Sequence, residues 1–448
     1  MRPSTRRIAA TALTVAAAAA AAASPSQAGA STARSADGFV ESIGVNVHLG
    51  YSDTAYVRHD VVQKKLTRLG VRHIRDGLFP HRPDMYQAFR SLARHGIKTD
   101  LIVGDPLRRW TIGPLSSQLD LIKKENLGDA VESLEGPNEY DIQGGKEWEP
   151  VLREYQRRFY SEVKSDPVLK RYPVLGPSLV RGPSYGGLGD VSGSLDYGNI
   201  HPYPGGERPD GQNSDLDQQL GRATKNSRSK PVQVTETGYH NGVRSASTHL
   251  PATERAAAIY MPRLFLDYYR RGVSRTYSYE LLDQRPDPKR LDSEANFGLV
   301  RNDYSEKPAY TAIRRTINLL SDPGPRFKTS GLDYSISGPG VERMLLQKRD
   351  GTFYLALWRN ESVWSPGARK AVRASSNGVR VSLGRRARTI VVYRPSDSGK
   401  PVKTSPNTRS VSLDASPSVA IVKISPRAGK GAAAHWLVKR SRTIRRRD

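Results

Sequence analysis

Residues 43–75, IGVNVHLGYSDTAYVRHDVVQKKLTRLGVRHIR, contain one complete strand–helix–strand unit. Ile43-Gly-Val-Asn-Val47 is a short β-branched run of the kind that forms a strand. Val57, Val61, Val62, Leu66 and Leu69 then fall near one face of a helix that stops at Gly70. Val71-Arg-His-Ile-Arg75 begins the next strand. Glycine ends such a helix because it enters the left-handed conformation without a Cβ clash. The same punctuation recurs at His95-Gly96-Ile97 and Arg271-Gly272-Val273.

Working outward from this unit, further strands are expected at Thr99–Val103, Ala130–Glu135, Pro173–Pro177, Gly198–His201, Pro231–Glu236 and Arg275–Tyr279. Eight strands with intervening helices over roughly 280 residues suit an α/β fold of the (β/α)8 TIM-barrel type better than an open doubly wound sheet. No glycine-rich phosphate loop follows the first strand. Beyond Pro323 the texture changes to short strands separated by Gly, Pro, Ser and Asn: Met344–Gln347, Phe353–Trp358, Val379–Leu383, Thr389–Tyr393, Val411–Leu413 and Val419–Ile424. That spacing reads as a small β-sandwich. The expected organisation is an export signal over 1–30, the barrel over 31–323, a basic β-sandwich over 324–426 and a basic flexible tail over 427–448.

Composition narrows the function classes. Arg2, Arg6 and Arg7 precede an apolar run from Ile8 to Ala23, and small residues follow through Ala28-Gly-Ala30. This is the pattern of a removable export signal, so a secreted protein is expected, with retention at the cell wall as a further possibility. The run is too short to span a bilayer comfortably and no second apolar stretch follows it, so no transmembrane segment is expected. The chain has no cysteine, which excludes disulfides, thiolate catalysis and thiolate metal sites. The formal charge of +26 is unevenly placed. Residues 31–323 hold 41 Lys+Arg against 37 Asp+Glu, whereas residues 324–448 hold 26 against 7. The basic region is therefore either a solvated surface or a surface for an anionic cell-wall polymer, held by charge and weakened by salt. No motif that reads nucleic acid is present.

Two glutamates stand where strands run into loops: Glu139 in Glu135-Gly-Pro-Asn-Glu139-Tyr, and Glu236 in Val-Gln-Val-Thr-Glu236-Thr-Gly-Tyr. They are 97 residues apart, so only a fold can bring them together. In a β/α barrel the C-terminal ends of all strands open on one face. Strands four and seven would place the two carboxylates there. His201 and Tyr203 follow strand six, Arg75 ends strand two, and Asn46 and His48 lie in or just after strand one. Carboxylates on opposite sides of a sugar are the minimal equipment for cleaving a glycosidic bond. Glu135 is a rival acid that, two alternations deeper in its strand, reads rather as a buried polar contact. Asp76 and Asp105 read as sugar ligands or helix caps. Tyr51, Trp110, Tyr239 and Tyr279 read as stacking or core aromatics. His201 and His240 lack a third ligand, so neither a metal site nor a cofactor is expected.

These residues carry a resemblance to the clan A retaining glycoside hydrolases, nearest in texture to families 5 and 39, over about residues 40–320. Asn138-Glu139 matches the strand-four pair, Glu236 the strand-seven glutamate, His201-Pro-Tyr203 the strand-six element and Arg75 the strand-two arginine. Asn296-Phe-Gly-Leu299 followed by Lys307-Pro-Ala-Tyr310 resembles the segment between strand eight and the last helix. The chain departs from the pattern at Tyr140, where proline is usual, and at strand eight, where Tyr277, Tyr279 and Glu280 replace the tryptophan that floors a sugar subsite. The resemblance implies Glu139 as acid/base, Glu236 as nucleophile, Asn138 on the sugar 2-OH, and Tyr203 and Arg75 holding Glu236 ionised. It implies a carboxyl separation of about 5–5.5 Å and a β-linked poly- or oligosaccharide substrate. A monomer is expected. The alternative is a noncatalytic carbohydrate- or wall-binding protein on the same scaffold.

Overall fold

The computed structural model describes residues 29–107, 113–211 and 215–427. Residues 1–28 of the expected export signal, Trp110 and residues 428–448 of the expected basic tail lie outside them.

All eight expected strands form: Ile43–Asn46, His73–Gly77, Lys98–Ile102, Val131–Glu135, Val174–Leu175, Gly198–Ile200, Val232–Thr237 and Thr276–Ser278. They pair in parallel in chain order, with the eighth beside the first. A bridge between Leu175 and Tyr197 joins the fifth strand to the sixth and closes the barrel. Helices His59–Leu69, Pro83–Arg94, Trp148–Ser165, Leu216–Ser227, Glu254–Arg270 and Pro308–Leu320 are among those that connect or follow the strands. The glycine punctuation works as the physics requires: Gly70 and Gly272 take φ values of 86° and 90° at the helix ends.

The second unit is a sandwich of two layers, antiparallel except where Arg34–Ser35 pairs in parallel with Val341–Gln347. One layer orders Gly29–Thr32, Gly331–Ser337, Asn377–Leu383 and Ser410–Ala415. The other orders Pro401–Pro406, Thr389–Tyr393, Ala420–Ser425, Phe353–Arg359, Val341–Gln347 and Arg34–Ser35. The sandwich is therefore built from both sides of the barrel sequence: the chain supplies Gly29–Thr32 and Arg34–Ser35 before it enters the barrel. The strand Phe353–Arg359 shows why its sequence lacks alternation. Phe353, Leu355 and Leu357 face the sandwich core, while Tyr354, Ala356 and Trp358 join the barrel's core. A strand buried on both faces reads as a continuous apolar run.

The two units are also clasped. Arg263, 1% exposed, donates to the Glu361 carbonyl and to Asn360 Oδ1, both at 2.9 Å. The Trp364 indole donates to the Pro251 carbonyl at 2.8 Å. Arg369 reaches the carbonyls of Val243 and Ser245 in the loop that follows strand seven.

Candidate active site

The middle of this barrel is filled by charge rather than by aliphatic layers. Arg75 is 2% exposed and spends every guanidinium nitrogen on a named acceptor. Nε and Nη2 hold Glu135 at 2.8 and 2.6 Å, Nη1 holds Asn46 Oδ1 at 3.0 Å and Glu236 Oε1 at 2.6 Å, and Nη2 also reaches Asn138 Oδ1 at 2.7 Å. A buried guanidinium is tolerable only when so fully paired. Glu135, fully buried, is thus committed to Arg75 and does not open to solvent. Asp100, beside it, is pushed well above the usual carboxylate range by burial and by the Glu135 charge.

Glu236 ends strand seven and is held at both oxygens: Oε1 by Arg75 and Oε2 by the Tyr203 hydroxyl at 2.7 Å. Burial alone would raise its pKa, but the charges of His201 and Arg75 and the two hydrogen bonds outweigh this and bring it down to about 2. It is an ionised carboxylate with fixed orientation.

Glu139 lies on the loop after strand four with φ 49° and ψ 42°, a left-handed conformation that costs a non-glycine residue roughly 1–2 kcal/mol. The loop holds it there: Glu139 N–H donates to Ser178 Oγ at 3.0 Å, and Ser178 Oγ donates to Asn138 Oδ1 at 3.3 Å. Backbone strain of this kind gathers at sites where geometry matters more than stability. His201 sits between the two glutamates. Its Nδ1 is 2.8 Å from Glu139 Oε1, and its Nε2 is 2.9 Å from Thr235 Oγ1, whose hydroxyl lies 2.8 Å from Asn199 Oδ1. With Thr235 donating to Asn199, His201 Nε2 must donate to Thr235. A single proton then lies between His201 Nδ1 and Glu139 Oε1, on one or the other. Burial disfavours the imidazolium, yet the charge of Glu236 and the bond to Glu139 raise the His201 pKa above its ordinary value.

Glu139, His201 and Glu236 each bring one ligating atom within 4.8 Å of the others. A cation there would compete with Arg75, Tyr203 and His201 for the same oxygens. The donor set fits a proton-transfer pair better than a metal.

The pair faces a cavity of about 450 Å³, within the usual range of ligand clefts (~300–1,000 Å³). Asn138 lines this space with its oxygen taken by Arg75 and Ser178, which leaves its amide nitrogen as its donor. His48 lines the cavity, 3.1 Å from the buried Glu280, which also accepts from Tyr56 and Gln284. The His48 ring stacks on Tyr51 at 4.5 Å, and Tyr279 stands edge-on to both His48 and Phe297. Asn46 lies beneath the cavity instead, tied to Arg75 and to the Thr235 carbonyl. Asp76 and Asp105 border the cavity, though Asp76 also accepts the backbone N–H groups of Leu49 and Gly77. Burial pushes the Asp76 carboxyl up to about 7. Tyr239 is a core residue packed on Tyr260 and does not reach the cavity.

Sequence reasoning passed over His249, Glu294, Phe297 and Phe79, which all line the cavity. His249 meets the Tyr203 ring edge-on at 5.0 Å, and burial brings its pKa down to about 4, so it is a neutral wall. These residues come from loops, where no periodicity marks them. The Asn296-Phe-Gly-Leu299 match was the one signal pointing to that stretch.

The arrangement is a closed parallel barrel with one acid on the loop after strand four, one at the end of strand seven, and a sandwich attached. This is the fold of the clan A, family-39-like glycoside hydrolases. No protein-family model matches the chain, and no curated protein does. Among solved structures it resembles a family 39 glycoside hydrolase from the gut symbiont Bacteroides cellulosilyticus WH2, with TM-score 0.62 and 18% identity over 88% of this chain and 81% of that one. A GH39 enzyme from Xanthomonas axonopodis pv. citri aligns with TM-score 0.59 and 14% identity over 88% of this chain and 96% of that one. A monomeric beta-xylosidase from Caulobacter crescentus CB15 aligns with TM-score 0.59 and 14% identity over 89% and 98%.

Proposed function

We propose that the protein is an exported, retaining glycoside hydrolase that cleaves β-linked glycans by double displacement. The observation that carries this reading is the facing pair itself. Carboxyl oxygens of Glu139 and Glu236 lie within 4.8 Å over an open cavity, whereas an inverting pair needs about 6.5–9.5 Å to admit water. Glu236 attacks the anomeric carbon as the glycosidic C–O bond breaks, and the proton held between His201 and Glu139 goes to the leaving oxygen. Glu139 then takes a proton from water, which displaces Glu236 and releases the sugar. Asn138 donates to the sugar 2-OH, and Tyr51, Tyr279 and Phe297 bound the ring. The sequence pattern of the N-terminus supports export.

A panel of aryl β-glycosides and neutral polysaccharides tests this. Glu236→Ala is expected to abolish turnover. Glu139→Ala is expected to slow the first step about 10²–10⁴-fold for poor leaving groups and to spare it for activated nitrophenyl ones, whose turnover is then limited by hydrolysis of the glycosyl-enzyme. A wild-type protein that cleaves nothing on the panel yet binds glycans would establish the noncatalytic reading instead.

A further inference from the structure

One end of the sandwich gathers five arginines. The turn after Asn377–Leu383 presents Arg385, Arg386 and Arg388, the turn before Ser410–Ala415 presents Arg409, and the last strand delivers Arg427 beside them; all five are exposed. Backbone hydrogen bonds clasp the two turns: Leu383 N–H to the Arg409 carbonyl at 2.7 Å, Ala387 N–H to Thr408 at 2.9 Å and Asn407 N–H to Arg388 at 2.9 Å. Asn407 gathers the side chains, its carbonyl accepting from Arg386 at 2.9 Å and its Oδ1 from Arg427. Asp333 lies beside this end, its carbonyl accepting Gly384 N–H at 3.0 Å. Among the described residues, none of Arg386, Arg388, Arg409 and Arg427 forms an ion pair with a carboxylate. Beyond Arg427 the sequence continues with seven Lys+Arg against one Asp.

We propose that this end of the sandwich is a docking surface for a polyanionic glycan polymer, one that bears repeated carboxylate or phosphate groups. Arginine forks match both groups bidentately, and the clasped turns fix the backbones that carry them, so the ordering cost falls on the side chains alone. Among the described residues none of Arg386, Arg388, Arg409 and Arg427 lies over an aromatic ring that could share in stacking a nucleobase, which disfavours single-stranded nucleic acid. The surface is separate in chemistry from the cleavage site. Among the described residues the cavity is lined by Asp76, Asp105, Glu139, Glu236 and Glu294, and by one arginine, Arg75, which is fully committed. A polyanion is therefore drawn to the sandwich and not into the cavity, so the polymer that holds the protein is not the one it cuts.

The test compares the full chain with its Arg386→Ser/Arg388→Ser/Arg409→Ser variant, using immobilised polygalacturonate and poly(glycerol phosphate) as carboxylate and phosphate probes. Neutral arabinoxylan and duplex DNA serve as controls, and a chain truncated after Arg427 reports the tail's share. The triple variant is expected to lose affinity for at least one polyanion on the order of a hundredfold at low salt, and wild-type binding is expected to vanish near 1 M salt. Turnover of a small neutral substrate by the triple variant should match wild type, which separates failure here from failure of the barrel assignment. Wild-type affinity in the triple variant, binding lost only on truncation, equal binding to arabinoxylan, or binding to DNA alone would each overturn the proposal.

Discussion

Arg75 and Arg388 carry the same charge in opposite surroundings. Arg75 lies 2% exposed in the barrel, with Glu135, Glu236, Asn46 and Asn138 arranged around it. Arg388 lies exposed on a turn of the sandwich, with no carboxylate bonded to it. The barrel buries Arg75 against paired carboxylates, and that pairing fixes Glu236, the reacting group. The sandwich buries aliphatic side chains and turns its cations outward. Where the dielectric is low a charge is a positioning device; where it is high the same charge is only a field.

The largest expected contrast is in stability. Arg75→Ala leaves two buried carboxylates unpaired and is expected to cost about 3–5 kcal/mol or prevent folding, whereas Arg388→Ala is expected to stay within about 0.5 kcal/mol. Denaturant titration measures both, and similar costs for the two would break the contrast. Arg75→Lys should also fail to restore activity, because an ammonium cannot reproduce the fork that spans Glu135 and Glu236.

Acid titration is expected to show the next effect. Glu236 is held at about 2 in the folded protein against 4.5 as its reference value. A depressed carboxylate contributes stability that is present above its unfolded pKa and lost as pH falls through the folded one. Between about pH 5 and 2 this one group should withdraw roughly 3 kcal/mol, and Glu236→Gln should lack that part of the pH dependence. Unchanged acid sensitivity in the variant would show that Glu236 is not held as described.

Smaller still is Tyr203→Phe. It removes one hydrogen bond to a charged carboxylate, and kcat should fall about 10- to 100-fold, with the acid limb of the pH–rate profile moving to higher pH. A fall in kcat without that movement would make Tyr203 a packing residue only. At the smallest end, 0.5 M salt should leave hydrolysis of a neutral aryl glycoside nearly unchanged, because the barrel pairs are shielded from screening.

The eight barrel strands were legible because each ends or begins at a physical marker, such as the helix-terminating Gly70 and Gly272. Glu139, Glu236, His201, Tyr203 and Arg75 were legible together because strand ends converge on one face. Other parts left no such trace. Gly331–Ser337 was passed over, and Pro401–Pro406 has proline at both ends and reads as a loop, though an exposed edge strand tolerates it. Gly29–Thr32 falls where a processing signal was expected to end, and only its distant partner Gly331–Ser337 makes it a strand. His249 and Glu294 reach the cavity from loops whose course is set by tertiary contacts, including the clasp of Trp364 and Arg369 on residues 243–251.

The central claim is that Glu236 forms a covalent glycosyl-enzyme while Glu139 shuttles the proton. Proton NMR of the first sugar released from a cleaved β-glycoside, recorded before mutarotation, tests it most directly. The account predicts that the β-anomer appears first; first release of the α-anomer would contradict it.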